Sequence, residues 1–548
     1  MIPVYWLSRH PHIQALGPWD TGMLSHLFAG IGWQSNYDYT RDVEVDHLEP
    51  GPGGVVVLPA RHHAADVDWL NGELAKLDAV LLILCGDEEA IFPWREVRHP
   101  RIQFWVQLPK PEVHGDMPWA YFFGDGWNTH VPAEIGRSQP VKDLPWAFAG
   151  QVTNERRKRA VNGLTKARSR IPGHLTRTQG FTQGMPRREY LQELKRTWVA
   201  PCPGGPATHD TFRFFEALEA SCVPVIEHDT YWTMLATQSG AGLMPMSMTN
   251  DWDSVGGVIE AIMQDRHWWS NMWQNWYGRY RREMVRRLDS DIVALGLAEP
   301  RQRYRTTAVV TVSPSVLHPS TDMIVETIAS ARKVGGHDMP VVIVADGIRN
   351  EQQHLRDVYE EFLFRLYWWA KWEPNTQVVW NGGPHYHQAH MTRVALNSYV
   401  DTPNILFLEH DTPLVTDEPF DFAACEALIE QRAVDVLRFH HEARIIPEHE
   451  HLMVDHETIT MMGVPLRRTR QWSQRPHLAS TDYYRKMLIR EFSHAAKCFI
   501  EDHMHSVAQS HPARNRIAIY VPNEANMKRS YHLDGRAGEP KFDNTQVF

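Results

Sequence analysis

WVAPCPGGPATHDTFRFFEALEASCVPVIE, residues 198–227, reads as an apolar strand, a Gly/Pro loop, a helix and a second apolar strand. The pattern passes from a short continuous apolar run to helical spacing, which points to a strand feeding a helix on a parallel sheet. Gly204 and Gly205 let the main chain approach a ligand closely. Asp210 or Thr211 can cap a helix beginning near Phe212. A helix start offers N–H groups to an anion such as a diphosphate. Arg213 and Glu216 are three apart and share one face of that helix. A cation beside a diphosphate and a carboxylate reaching ribose hydroxyls would together hold a nucleotide sugar. The plainer alternative is an Arg–Glu pair on a solvated helix.

Outward from this stretch the same alternation continues. Residues 3–8, 54–60, 78–86 and 102–109 read as buried strands separated by loop or helical sequence, the pattern of βα units on a parallel sheet. They define a first Rossmann-like unit over residues 1–140. A second, over 141–294, opens at residues 146–151 and closes with a Trp-rich helical stretch at about 259–288. Residues 295–305 form a linker with a Pro and a basic cluster. A third unit, 306–548, starts a new series with strands at 307–315 and 340–347 around a helix at 321–334.

Composition bounds the rest. With 548 residues, 43% hydrophobic and 22% charged, the chain is globular and holds about three to four structural units. A net charge of −10 disfavours nucleic acid as the main partner, since gripping phosphates along a strand needs a basic face. Five scattered cysteines without a CxxC pair argue against a disulfide framework and a cysteine zinc site. No basic start with a long apolar core opens the chain, and the most apolar run, residues 79–85, is too short to span a bilayer. The expected address is therefore the cytoplasm, in a bacterial or phage-infected cell. Most of the 21 Trp are expected to fill the core.

The segment TFRFFEALEASCVPV (211–225) resembles the nucleotide-sugar binding stretch of the exostosin family of glycosyltransferases, where S-F-R-F-x-E-A-L leads into C-V-P-V. That resemblance implies a GT-B fold of two Rossmann-like units, with Arg213 and Glu216 at the family's arginine and glutamate and Thr211 at the helix start. FAGQVTNERR (148–157) looks like the loop opening the second half of such enzymes, which would bring Gly150 and Arg156 near donor phosphates. One departure stands out: the family's Gly-Ser is Asp210-Thr211 here, and an Asp at a diphosphate-binding helix start repels the ligand unless it points away. His10, His12 and Asp20, after the first strand, are candidates for this half's general base.

In the third unit, NILFLEHDTPL (404–414) places Glu409, His410 and Asp411 at the end of an apolar strand. Carboxylates two apart in such a turn can face one divalent cation, which then neutralises a nucleotide diphosphate. The turn looks like the acid-x-acid element of GT-A glycosyltransferases. By that resemblance Asp346 would touch the base, Arg393 and Asn397 lie in the donor-binding neighbourhood, and His532 would complete the metal site with Asp411 and Glu409. CFIEDHMHSVAQ (498–509) resembles the Glu-Asp motif of inverting GT-A enzymes, with Asp502, or Glu501 as second choice, as general base.

The expectation is thus an α/β glycosyltransferase of two modules, GT-B then GT-A. It uses a nucleotide-sugar donor, a UDP-sugar first, Mn²⁺ or Mg²⁺ in the GT-A module, and a protein or glycan acceptor. Its alternative is one working GT-A enzyme beside a first half that only binds glycan or nucleotide.

Overall fold

The structure, a computed structural model, describes residues 2–9, 24, 27, 46–117, 119–126, 131–178, 184–299, 304–418, 420–493 and 498–533. His10, His12 and Asp20 lie outside the described residues. The chain divides into two compact units, Met1–Arg301 and Gln302–Phe548.

Among its described residues the first unit carries two separate parallel sheets. In one, β1 (Val4–Trp6), β2 (Gly54–Pro59), β3 (Val80–Cys85), β4 (Ile102–Gln107) and β5 (Tyr121–Phe123) lie side by side in chain order. Every residue of β2 and β3 is buried, because helices and loops cover both faces of a parallel sheet. That is why these strands read as unbroken apolar runs. The other sheet contains β6 (Leu144–Gln151), β7 (Gly173–Thr178), β8 (Thr197–Pro201), β9 (Val223–Glu227) and β10 (Met248–Thr249), in the order β7-β6-β8-β9-β10. The direction of winding reverses between β6 and β8. In open α/β sheets such a reversal leaves a crevice at the carboxyl ends of the two strands.

The Trp-rich stretch forms two helices, Val255–Gln264 and Arg266–Ala294, broken at Asp265. Its aromatics are core. Trp273 and Trp276 are fully buried, and Trp273 meets Phe214 of the helix Phe212–Glu219 edge-on at 5.6 Å. The long helix also ties the two sheets together, since the Trp105 indole of β4 donates to Asp291 (2.9 Å) and the Gly124 amide after β5 donates to the Tyr280 hydroxyl (2.9 Å).

Among the described residues the second unit is one sheet of nine strands. In chain order they are β11 (Thr306–Val312), β12 (Val341–Ala345), β13 (Thr376–Trp380), β14 (Asn404–Glu409), β15 (Val436–Arg438), β16 (Ile459–Met461), β17 (Val464–Thr469), β18 (His477–Ser480) and β19 (Ile517–Tyr520). The spatial order is β13-β12-β11-β14-β18-β15-β19-β17-β16. Strands β11 to β14 are parallel, and β18 runs antiparallel to both β14 and β15. Winding reverses between β11 and β14, so the acidic turn after β14 stands at a switch point of this sheet.

No helix among the described residues is long and apolar enough to cross a membrane.

Candidate functional sites

In the first unit the crevice lies at the ends of β6 and β8. The helix Glu155–Ala167 starts there, capped by the Asn154 side chain, which accepts from the Arg157 amide at 2.9 Å. The helix Phe212–Glu219 starts beside it with Thr211 as N-cap. Arg213 Nη2 donates to the Ala149 carbonyl (2.7 Å), and its guanidinium lies 4.6 Å from the Phe148 ring. A Cβ at Gly150 would run into Arg213 Nη2, so a side chain there would make the guanidinium shift. A Cβ on Gly204 would come within 3.2 Å of Arg156 Nη1, so the second arginine lies over the β8 loop.

Arg156 also contacts His209 (3.0 Å) and Glu227 (3.7 Å), the latter at the end of β9. Arg157, which the sequence reading passed over, joins the cluster. Burial and the neighbouring Arg213 charge push its guanidinium down to about 10. Two guanidiniums held this close, at two helix starts, favour an anion between them. Three buried polar atoms here, Arg157 Nε, Arg213 Nε and the Thr211 hydroxyl, make no hydrogen bond. Glu216 is buried and faces the Tyr190 phenol, which burial and that carboxylate hold well above the usual tyrosine range.

Asp210 is buried. Its carboxyl accepts from the Thr211 amide (2.7 Å), the Asp125 amide (2.9 Å) and the Tyr231 hydroxyl (2.8 Å). It pins the loop after β5 to the loop before the helix Phe212–Glu219. Burial raises it to about 6. The departure from the exostosin pattern is therefore an internal strut.

In the second unit the Asp411 side chain is almost wholly buried beyond β14. The segment after β19 runs back along the turn: the Val415 amide donates to Arg529, Tyr531 to Pro413 and Leu533 to Asp411. This pairing delivers His532, whose Nδ1 lies 3.4 Å from Asp411 Oδ2. Glu409 accepts from Gln388 Nε2 at 3.3 Å. The other end of that amide, Gln388 Oε1, accepts from the Ile500 amide (3.2 Å) at the start of the helix Ile500–Ser510. Gln388, another residue that sequence reading missed, thus links Glu409 to the helix that carries half-buried Glu501 and exposed Asp502.

Asp346, at the end of β12, is built into the scaffold. It accepts from the Gly347, Tyr386 and His387 amides (2.7, 2.9 and 2.8 Å) and lies 2.8 Å from His385 Nδ1. It shapes a loop whose rings, Tyr386 on His390 and His387 on Phe499, cluster on the β12–β13 side. Gly347 has no room for a side chain, because a Cβ would strike the Gly383 and Pro384 carbonyls.

Arg393 is buried. It donates to the Leu488 (2.9 Å) and Phe492 (2.7 Å) carbonyls, closing the end of the helix Thr481–Glu491. Asn397 is exposed.

Among the described residues no group of three or more His, Cys, Asp or Glu side chains converges as a metal site. Asp411 and His532 supply one carboxylate and one imidazole, a donor set that suits a divalent ion whose other ligands come from phosphate oxygens and water.

No protein-family model matches the chain, and no curated protein matches it. Solved structures give distant likenesses. TarS residues 1–349 of S. aureus is 15% identical, over 44% of this chain and 68% of that one, with a TM-score of 0.28. GalNAc-T7 with UDP, GalNAc and Mn²⁺ is 9% identical, over 43% of this chain and 45% of that one, at 0.29. UDP-glucose pyrophosphorylase with UDP-glucose is 10% identical, over 39% of this chain and 89% of that one, at 0.26. Likeness at this level decides neither fold nor activity.

Proposed function

We propose that the chain is a glycosyltransferase with a nucleotide-sugar donor site in each unit. The observation that carries the reading is the junction of Asp411 with His532 at a sheet switch point, assembled by main-chain pairing between residues 411–415 and 529–533. A carboxylate and an imidazole brought together this way are suited to a divalent ion, which when bound would neutralise the leaving nucleoside diphosphate.

The remaining chemistry belongs to the chain. The β12–β13 side, with Asp346 shaping the loop of Tyr386 and His387, would take the nucleoside. Asp502 or Glu501 would accept the proton of the acceptor hydroxyl as its oxygen attacks the anomeric carbon. The bond to the diphosphate oxygen breaks on the opposite face, so the configuration inverts. Gln388 would hold the helix that carries this base at a fixed distance from the acidic turn.

The first unit would stabilise the same leaving group with Arg213, Arg157 and Arg156 at two helix starts, without a metal. Asp210, the acid at this helix start, has its carboxyl engaged by three donors from the surrounding loops.

The test is turnover of a panel of nucleotide sugars, with candidate glycan and protein acceptors, in Mn²⁺ and in EDTA. Wild type is compared with Asp411→Asn and Glu216→Gln. Two working sites predict one metal-dependent activity lost in Asp411→Asn and one EDTA-resistant activity lost in Glu216→Gln. If Glu216→Gln changes nothing while Asp411→Asn removes everything, the first unit is a binding module.

A further inference from the structure

On the side of the acidic turn away from the nucleoside loop, three chain segments meet. The end of β15 and the residues after it (438–443) lie between two others. On one side is the loop before β18, where the Phe439 amide donates to Pro476 at 2.8 Å. On the other is the segment before His532, where the Met527 amide donates to Ala443 (2.8 Å) and the Arg529 amide to His440 (2.6 Å). Each segment contributes a cation: Arg438, Arg475 and Lys528 respectively.

Arg438 is almost wholly buried. Its Nη1 donates to the Gln471 carbonyl (3.1 Å) and side chain (3.2 Å), and its Nε makes no hydrogen bond. Such a buried guanidinium is costly unless something compensates it. The acid beside it is Glu501, while the neighbouring Arg475 adds like charge. The imidazole of His441 packs edge-on against His532, 4.7 Å between centroids, which joins this pocket to the Asp411–His532 pair.

We infer that this pocket reads an anionic substituent, a carboxylate or a phosphate, on the sugar handled at the second unit's site, through Arg475 and Lys528 backed by Arg438. The inference rests on the donor site proposed for that unit. Three cations carried on three adjoining segments beside the Asp411–His532 pair would bind a neutral sugar no better than polar side chains would. An anion would gain charge-assisted hydrogen bonds there. The anion can sit on the donor sugar or on the acceptor.

Calorimetry on the full chain separates these sources and the parent reading. Binding of UDP with Mn²⁺ is measured first. Methyl glucuronide, glucose 6-phosphate and methyl glucoside are then titrated into the chain, with and without Mn²⁺ and UDP, and UDP-glucuronate is compared with UDP-glucose. The expected result is at least a tenfold preference for a charged ligand in one of the two arms. It should be lost in Arg475→Gln/Lys528→Gln and kept in Arg475→Lys, with thermal melting confirming that each variant is folded. Preference among free sugars assigns the anion to the acceptor; preference among UDP-sugars assigns it to the donor. No preference in either arm, or a preference that survives the double variant, overturns the inference. If UDP with Mn²⁺ does not bind, the donor-site reading has failed, and the free-sugar arm alone decides the pocket.

Discussion

Asp210 gives the sharpest physical test of the first unit. Its carboxyl rises from 3.8 to about 6 on burial, so between those values the folded chain holds a proton that the unfolded chain has lost. Stability from this group is therefore present below pH 4 and falls as pH rises towards 6. A shift of about two units corresponds to about 3 kcal/mol. Asp210→Asn cannot ionise. Whichever way its amide turns, Nδ2 faces a backbone N–H donor, so the variant carries a fixed penalty that does not change with pH. Between pH 4 and pH 7 the difference should move by about 3 kcal/mol in the variant's favour. Taking the difference between the two proteins cancels every other titrating group. Because two units can unfold separately, the assay is urea unfolding read by hydrogen exchange in peptides covering residues 121–126 and 208–216. A difference that stays constant from pH 4 to 7, or that grows in favour of wild type, would refute the strut.

Three further outcomes follow from single contacts. Gly150→Ala should displace the Arg213 guanidinium, costing about 1 kcal/mol of stability and roughly tenfold in nucleotide-sugar affinity at the first site; unchanged affinity by calorimetry would mean that Arg213 does not face the ligand. His477 is buried between Arg475 and Tyr484 and lowered to about 4, so its contribution is complete above pH 6.5 and disappears as pH falls to 4; His477→Gln should flatten that acid loss by about 3 kcal/mol in unfolding of the second unit. Gln388→Leu should lower kcat at the second site at least tenfold with little change in donor KM, because it frees the helix of Glu501 and Asp502; an equal rise in KM would assign Gln388 to donor binding instead.

The strands were legible because buried parallel strands must be apolar on both faces. Residues 54–60 and 78–86 announce β2 and β3 almost to the residue. The switch points were not legible, since nothing in β6 or β14 states which strand lies beside it; pairing is a tertiary fact. The candidate sites divide in the same way. Asp411 could be picked out from its strand end, whereas its proximity to His532 depends on main-chain bonds across more than a hundred residues. Gln388 and Arg475 carry no local signal, because their roles come from segments distant in sequence. Arg393 sits inside a pattern that points to the donor, and the two helix-end carbonyls it reaches likewise come from a segment distant in sequence. Trp273 and Trp276 fill the core of the first unit, as a high Trp count most often means.

The most direct measurement is the stoichiometry of UDP binding to the full chain by calorimetry, with and without Mn²⁺, in wild type, Asp411→Asn and Arg213→Met. The account predicts two sites: one needs Mn²⁺ and disappears in Asp411→Asn, and the other ignores EDTA and disappears in Arg213→Met. A single site, or two sites untouched by either substitution, would contradict it.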